Sequence, residues 1–173
     1  MKLLEKYSIL PLDIIRYINE FIKYEELNDG NIKYAVTMWY FHKDFALEVY
    51  GHISYWNTSR ITDMSFLFYQ YYTFNEDISR WNVSNVTNMS LMFCGANSFN
   101  SDLSSWNVSN VTGMEGMFCN ANSFNCDLSS WDVRNVTDMG WMFDKKCFTH
   151  HNFMTIFGYK KVPEWYSGWK ANS

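Results

Sequence analysis

The sequence predicts a repeat solenoid of short parallel strands, one per coil, led in by a small α-helical N-terminal domain. Three observations carry that expectation. Trp56, Trp81, Trp106 and Trp131 recur at a 25-residue interval. The units that start at Trp81 and Trp106 are near copies, WNVSNVTNMSLMFCGANSFNSDLSS and WNVSNVTGMEGMFCNANSFNCDLSS. The non-repeating stretches sit at the two ends. A fixed period of roughly 20 to 50 residues marks units too small to bury their own apolar face, which must stack on their neighbours. With 173 residues, the chain suits a short array plus a small extra domain. The reading has three parts: helices over 1–50, four repeat units over 51–155, and an aromatic end over 156–173.

Residues 1–50 read as helical. Pro11 suits a first helical turn, and Ile14, Ile15, Ile18, Phe21 and Ile22 then follow the 3.6-residue period of one apolar face. Asn28-Asp29-Gly30 breaks the pattern, after which Ile32, Ala35, Val36, Trp39 and Phe45 line one side of a second helix ending near Tyr50. Such helices would cap the open end of the array.

Numbering each repeat from its Trp as position 1, six columns are apolar in nearly every copy. Position 6 holds Ile61, Val86, Val111 and Val136; position 9 holds Met64, Met89, Met114 and Met139; position 13 holds Phe68, Phe93, Phe118 and Phe143. Positions 12, 19 and 23 complete the set, with Leu67, Phe74 and Ile78 in the first unit. These columns should point inward and stack in parallel ladders about 5 Å apart. The Val-Thr-x-Met segment, with its β-branched residues, reads as the strand, and Phe-Asn-x-Asp-Leu-Ser as the turn. Positions 6, 9 and 12 are spaced by three, which suits a coil with corners better than a flat strand.

Polar columns align as well. Thr62, Thr87, Thr112 and Thr137 should form one ladder, and Asn75, Asn100 and Asn125 another. Asp77, Asp102 and Asp127 would repel unless backbone N–H groups of their turns bind them. One Asp per coil is a sparse oxygen supply for calcium. The sequons at Asn82, Asn85 and Asn110 recur with the repeat and read as structural columns. Cys94 and Cys119 share position 14 and read as two small buried hydrophobes rather than a bridge.

The fourth unit keeps Trp131 to Phe143 and then fails, with Asp144-Lys145-Lys146 in place of small residues. Cys147, His150 and His151 lack a fourth ligand for a structural zinc, so a polar cap is expected and no metal or cofactor. Phe157, Tyr159, Val162, Trp165, Tyr166 and Trp169 around Gly158, Pro163 and Gly168 should fold over the last coil, the alternative being an exposed aromatic patch for a partner.

The net charge of −4 and pI near 5.5 supply no basic footprint for nucleic acid. No window reaches the roughly 18 apolar residues of a membrane span. The start, MKLLEKYSILPLDII, lacks the apolar run and cleavage site of a secretory signal, so an intracellular, cytoplasmic protein without membrane contact is expected. No phosphate loop, nucleophile elbow or paired metal motif appears, and an active site should be singular where everything prominent here is periodic. The chain therefore reads as no enzyme. Specificity should lie in the columns that vary: Phe66, Leu91, Gly116 and Trp141 at position 11, and Tyr69, Cys94, Cys119 and Asp144 at position 14. Facing outward, they would make a graded stripe for a protein or peptide.

Two resemblances sharpen this. Leu10-Pro11-Leu12-Asp13-Ile14-Ile15-Arg16-Tyr17-Ile18, followed by Ala35-Val36-Thr37-Met38-Trp39, resembles an F-box. That resemblance implies docking on a Skp1-type adaptor through Leu10, Pro11, Ile14, Ile15 and Ile18, with Trp39 in the box's own core and the repeats holding a ubiquitin-ligase substrate. The middle, from Glu25 to Lys33, is more polar than a typical box. The repeat W-N-V-S-N-V-T-x-M-x-x-M-F-x-x-A-x-x-F-N-x-D-L-S is similar to that of BspA-like, leucine-rich-repeat surface proteins, which implies a leucine-rich-repeat-like fold and an interaction scaffold. The expected function is a non-enzymatic protein-interaction scaffold, an F-box-like substrate-recruiting adaptor. The alternative is a structural, surface or particle subunit that self-assembles or adheres through its repeats.

Overall fold

The computed structural model describes residues 24–143. The helix expected over Pro11–Ile22, the adaptor residues Leu10, Pro11, Ile14, Ile15 and Ile18, the Cys147-His150-His151 group and the aromatic end lie outside the described residues.

The strand-based, leucine-rich-repeat-like solenoid expected above is not what the chain builds. Among the described residues there are two short α-helices and no strand. Parallel pairing shrinks to isolated bridges at position 8, Asp63 with Asn88, Asn88 with Gly113 and Gly113 with Asp138. The reason lies in where the backbone bonds go. A strand needs consecutive extended residues, but past each bridge the chain runs through overlapping turns, in which the N–H of position 12 donates to the carbonyl of position 9 in the same unit (Met92 to Met89, 3.2 Å; Met117 to Met114, 3.2 Å). The alternate N–H groups reach the following unit instead: Met89 to Gly113 (2.8 Å), Leu91 to Glu115 (2.7 Å), Phe93 to Met117 (2.8 Å) and Gly95 to Cys119 (2.7 Å). Every second donor stays home and every other one bridges units, so the backbone is satisfied without strands. The three-residue spacing of the apolar columns matches this turn period.

The units themselves are stacked in a 25-residue register. Phe68, Phe93, Phe118 and Phe143 pile ring on ring at 5.2, 5.5 and 5.6 Å with interplanar angles of 4°, 2° and 9°. A second pile, Phe74, Phe99 and Phe124, lies against the first, with Phe93 to Phe99 at 3.9 Å and Phe118 to Phe124 at 4.0 Å. The offset rings and the Met and Val columns around them are almost wholly buried. Position 3 (Val83, Val108) and position 16 (Ala96, Ala121) also point inward. The last three repeat indoles share one environment, each against a column Phe with its N–H bonded 28 residues back, whereas Trp56 packs on Trp39 and Tyr50 and bonds five residues back. Each of the four is buried and donates its ring N–H to a carbonyl that precedes it: Trp56 to Gly51 at the end of the second helix (3.0 Å), Trp81 to Ile53 (2.9 Å), Trp106 to Ile78 (3.2 Å) and Trp131 to Leu103 (2.9 Å).

Ahead of the stack, α1 (Ile32–Phe41) buries Ile32, Ala35, Val36 and Trp39, and α2 (Lys43–Tyr50) buries Ala46 and Tyr50. The single helix expected from Ile32 to Tyr50 is broken at His42, whose φ of −139° and ψ of 58° leave the helical region. That break leaves Phe45 about half exposed rather than inward. Gly51, with φ of 72°, ends α2.

The helices cover the first unit with specific contacts. Trp39 meets Trp56 edge-on at 6.0 Å and donates to Glu76 (3.3 Å), so its indole serves the junction with the repeats. Tyr40 stacks on Tyr71 at 4.2 Å, and Lys43 pairs with Glu76 at 2.7 Å. Arg60 pairs with Glu26. The Asp29 carboxylate accepts three bonds, from the Thr62 N–H (2.8 Å), the Thr62 hydroxyl (2.6 Å) and the Asp63 N–H (3.2 Å). No helix among the described residues is long and apolar enough to cross a membrane.

Candidate interaction surface

The side chains that could carry function are those the stack does not consume. Most polar columns are consumed. Thr87, Thr112 and Thr137 donate their hydroxyls to the Thr carbonyl one unit earlier, at 3.2, 3.1 and 3.2 Å. The Asn75 and Asn100 side-chain oxygens accept the N–H of the next Asn in the column, both at 2.8 Å. These ladders are exposed rather than buried. Asn85 and Asn110 donate to the carbonyls of Ser59 and Ser84 at 2.8 and 2.7 Å, which ties the sequon columns into the same lattice.

The Asp column is held by its own turns. Asp77 accepts the Ser79 hydroxyl (2.7 Å) and N–H (3.0 Å), and Asp102 and Asp127 accept the N–H of Ser104 and Ser129, both at 2.9 Å. For Asp77 the Ser79 hydroxyl and then the Ser79 N–H hold the carboxyl below its ordinary range, against burial and the Asp102 charge. An open polar concavity of about 490 Å³ runs along this column between Asp102 and Asp127. Its carboxylates already answer their turns. Among the described residues no three His, Cys, Asp or Glu side chains are placed to hold a metal ion. Cys94 and Cys119 are half-buried thiols, not a disulfide.

Position 11 differs. Phe66, Leu91, Gly116 and Trp141 all adopt left-handed backbone, with φ of 60°, 57°, 56° and 56°. Only Gly116 is at ease there; a bulky L-residue in this region is a true outlier costing about 1–2 kcal/mol. Position 15 makes the same excursion, with φ of 58°, 76° and 56°, but fills it with Gln70, Gly95 and Asn120, two of them residues suited to it. The Phe66 and Trp141 side chains are 51% and 55% exposed, so burial does not repay their strain. Leu91 is half-buried and leans across the next unit: a Cβ at residue 116 would lie 2.6 Å from Leu91 Cδ2.

The sequence-predicted stripe is therefore assembled in part. Phe66, Tyr69 and Trp141 are exposed, with Tyr69 edge-on to Phe66 at 5.6 Å, while Gly116 is covered and Asp144 lies outside the described residues. What sequence reasoning missed is the backbone. Phe, Leu and Trp carry no left-handed signal, and only Gly116 in the same column hinted at one. It also missed Asp29, which the Asn28-Asp29-Gly30 run presented merely as a break.

No curated protein and no solved structure matches the chain. The profile of one family, described as "Mycoplasma protein of unknown function, DUF285", matches residues 36–155. That span covers all four repeats, the whole of α2, part of α1 and well over half of the chain, so the protein belongs to the DUF285 family.

Proposed function

We propose that this chain is a non-enzymatic protein-interaction scaffold of the cytoplasm, holding a protein partner along its repeats and joining a Skp1-type adaptor through its F-box-like N-terminal segment. The observation that carries the first half is the contrast between columns. Periodic polar side chains are spent on holding units together, while Phe66, Tyr69 and Trp141 are presented outward. Exposed aromatics of this kind are what interface hot spots are made of. The second half rests on the resemblance of Leu10, Pro11, Ile14, Ile15 and Ile18 to an F-box.

A pull-down of the full chain with a purified Skp1-type adaptor tests it. Binding is expected, and Ile14→Asp with Ile18→Asp should abolish it without changing the circular dichroism spectrum. An adaptor that ignores the wild-type chain, or binds both forms alike, removes the recruiting role. Sedimentation that grows with concentration would favour a self-assembling subunit instead.

A further inference from the structure

We propose that the position-11 stripe takes one extended peptide segment, of apolar side chains interleaved with lysine or arginine. The inference rests on the scaffold reading and names the chemistry of the partner. Its first support is that the core does not require the Phe66 and Trp141 side chains, which are left exposed. Gly116 makes the same turn with no side chain, and position 15 makes its equivalent with Gln70, Gly95 and Asn120. Strained, exposed and bulky residues at a site where glycine suffices point to a requirement outside the fold.

Shape comes next. Phe66 and Trp141 stand three units apart, roughly 15 Å, the reach of about five extended residues. Between them Leu91 bends over Gly116, leaving two aromatic uprights with a low apolar floor. A strand-like segment laid across the units would meet Phe66 and Tyr69 at one end and Trp141 at the other.

Charge selects the occupant. Glu115 is exposed directly before Gly116, and Asp138 is exposed three residues before Trp141. Lys33, beside the first unit, is engaged by Asp63 at 3.6 Å and by the Ser65 hydroxyl at 3.3 Å. The last two units of the stripe thus carry two exposed carboxylates, Glu115 and Asp138, the second also accepting the Gly140 N–H at 3.0 Å, together with the exposed Trp141 indole. That combination favours ammonium or guanidinium groups over anions.

The test uses the full chain and fluorescein-labelled heptapeptides read by fluorescence anisotropy. The probe alternates leucine and lysine; the controls alternate leucine with glutamate and serine with lysine. The leucine–lysine peptide should bind at least about tenfold more tightly than either control. Phe66→Gly combined with Trp141→Gly should weaken it about tenfold or more while the Tm holds or rises, because glycine relieves the left-handed strain. Glu115→Lys should weaken it several-fold. Equal binding of either control, undiminished binding by the double-glycine variant, no saturable binding of any peptide, or a fall in Tm on the glycine substitutions would each overturn the proposal. Adaptor docking involves none of these residues, so its loss leaves this result standing. A native partner still held by the double-glycine variant would keep the scaffold and end the stripe.

Discussion

Two junctions in this molecule face the same problem with different means. Between repeats, three donors converge on one backbone oxygen: the Thr87 N–H, the Thr87 hydroxyl and the Asn88 N–H reach the Thr62 carbonyl at 2.8, 3.2 and 3.4 Å. Thr112 and Gly113 repeat the arrangement on Thr87 at 2.8, 3.1 and 3.2 Å. The first repeat has no earlier Thr carbonyl. There the equivalent donors, the Thr62 N–H, the Thr62 hydroxyl and the Asp63 N–H, reach the Asp29 carboxylate at 2.8, 2.6 and 3.2 Å. One side chain from the loop before α1 imitates the missing layer. Because it is charged, it makes stronger individual bonds than the carbonyl it replaces.

Several substitutions probe how far that equivalence goes. The largest effect belongs to neither junction's polar bonds. Phe93 contacts Phe68, Phe99, Trp106 and Phe118, so Phe93→Ala should cost about 3–5 kcal/mol by urea unfolding. A loss under about 1 kcal/mol would mean the aromatic piles are not the main cohesion. Asp29→Ala leaves three donors to water at an exposed edge and should cost about 1–2 kcal/mol, with Asp29→Asn in between. If both are silent, the imitation is geometric only.

Smaller still is a matched pair. Thr62→Val removes a bond to a carboxylate and should cost about 1 kcal/mol, whereas Thr87→Val removes one to a carbonyl and should cost about 0.5 kcal/mol. The reverse order would place the stronger bond between repeats.

Acid supplies the last test. Burial pushes the Asp29 carboxyl up, but the Thr62 hydroxyl and the N–H groups of Thr62 and Asp63, with Lys33, outweigh it and leave its pKa below the ordinary value. A depressed folded pKa contributes stability that is complete above the unfolded value and fades as pH falls through the folded one. The gap between wild type and Asp29→Asn in urea midpoint should therefore be full near about pH 6 and shrink as pH falls below about 4, the ordinary carboxyl value. Asp77, Asp102 and Asp132 are lowered too, but they are common to both proteins and cancel in the difference. A constant gap would remove the charge from the account.

Much of this was legible in the residues. The 25-residue period, the inward columns from Ile61 to Phe143 and the Thr and Asn ladders follow from which side chains repeat and which can be buried. The strand was not legible, because Val-Thr-x-Met has β-branched character while the bonding that decides the conformation starts at the following turn. Val86 and Thr87 look alike in any extended segment; it is the Met92 N–H turning back to Met89 that stops the ladder. The surface stripe was half legible. Variation at position 11 singled out Phe66, Leu91 and Trp141, yet their left-handed backbone has no counterpart in side-chain chemistry. Asp29 was hidden for a simpler reason: its partners lie 33 and 34 residues away.

The register of the bonds between layers has an evolutionary consequence. Each unit after the first receives the same set of backbone partners that it passes on, so tandem gene duplication in whole 25-residue blocks lengthens the molecule while every layer still meets an equivalent neighbour. An insertion of a single codon within the turns would throw all downstream donors off their acceptors. Growth and shrinkage in this lineage should therefore be quantised, and the near-identity of the blocks beginning at Trp81 and Trp106 is what one such recent step would leave behind.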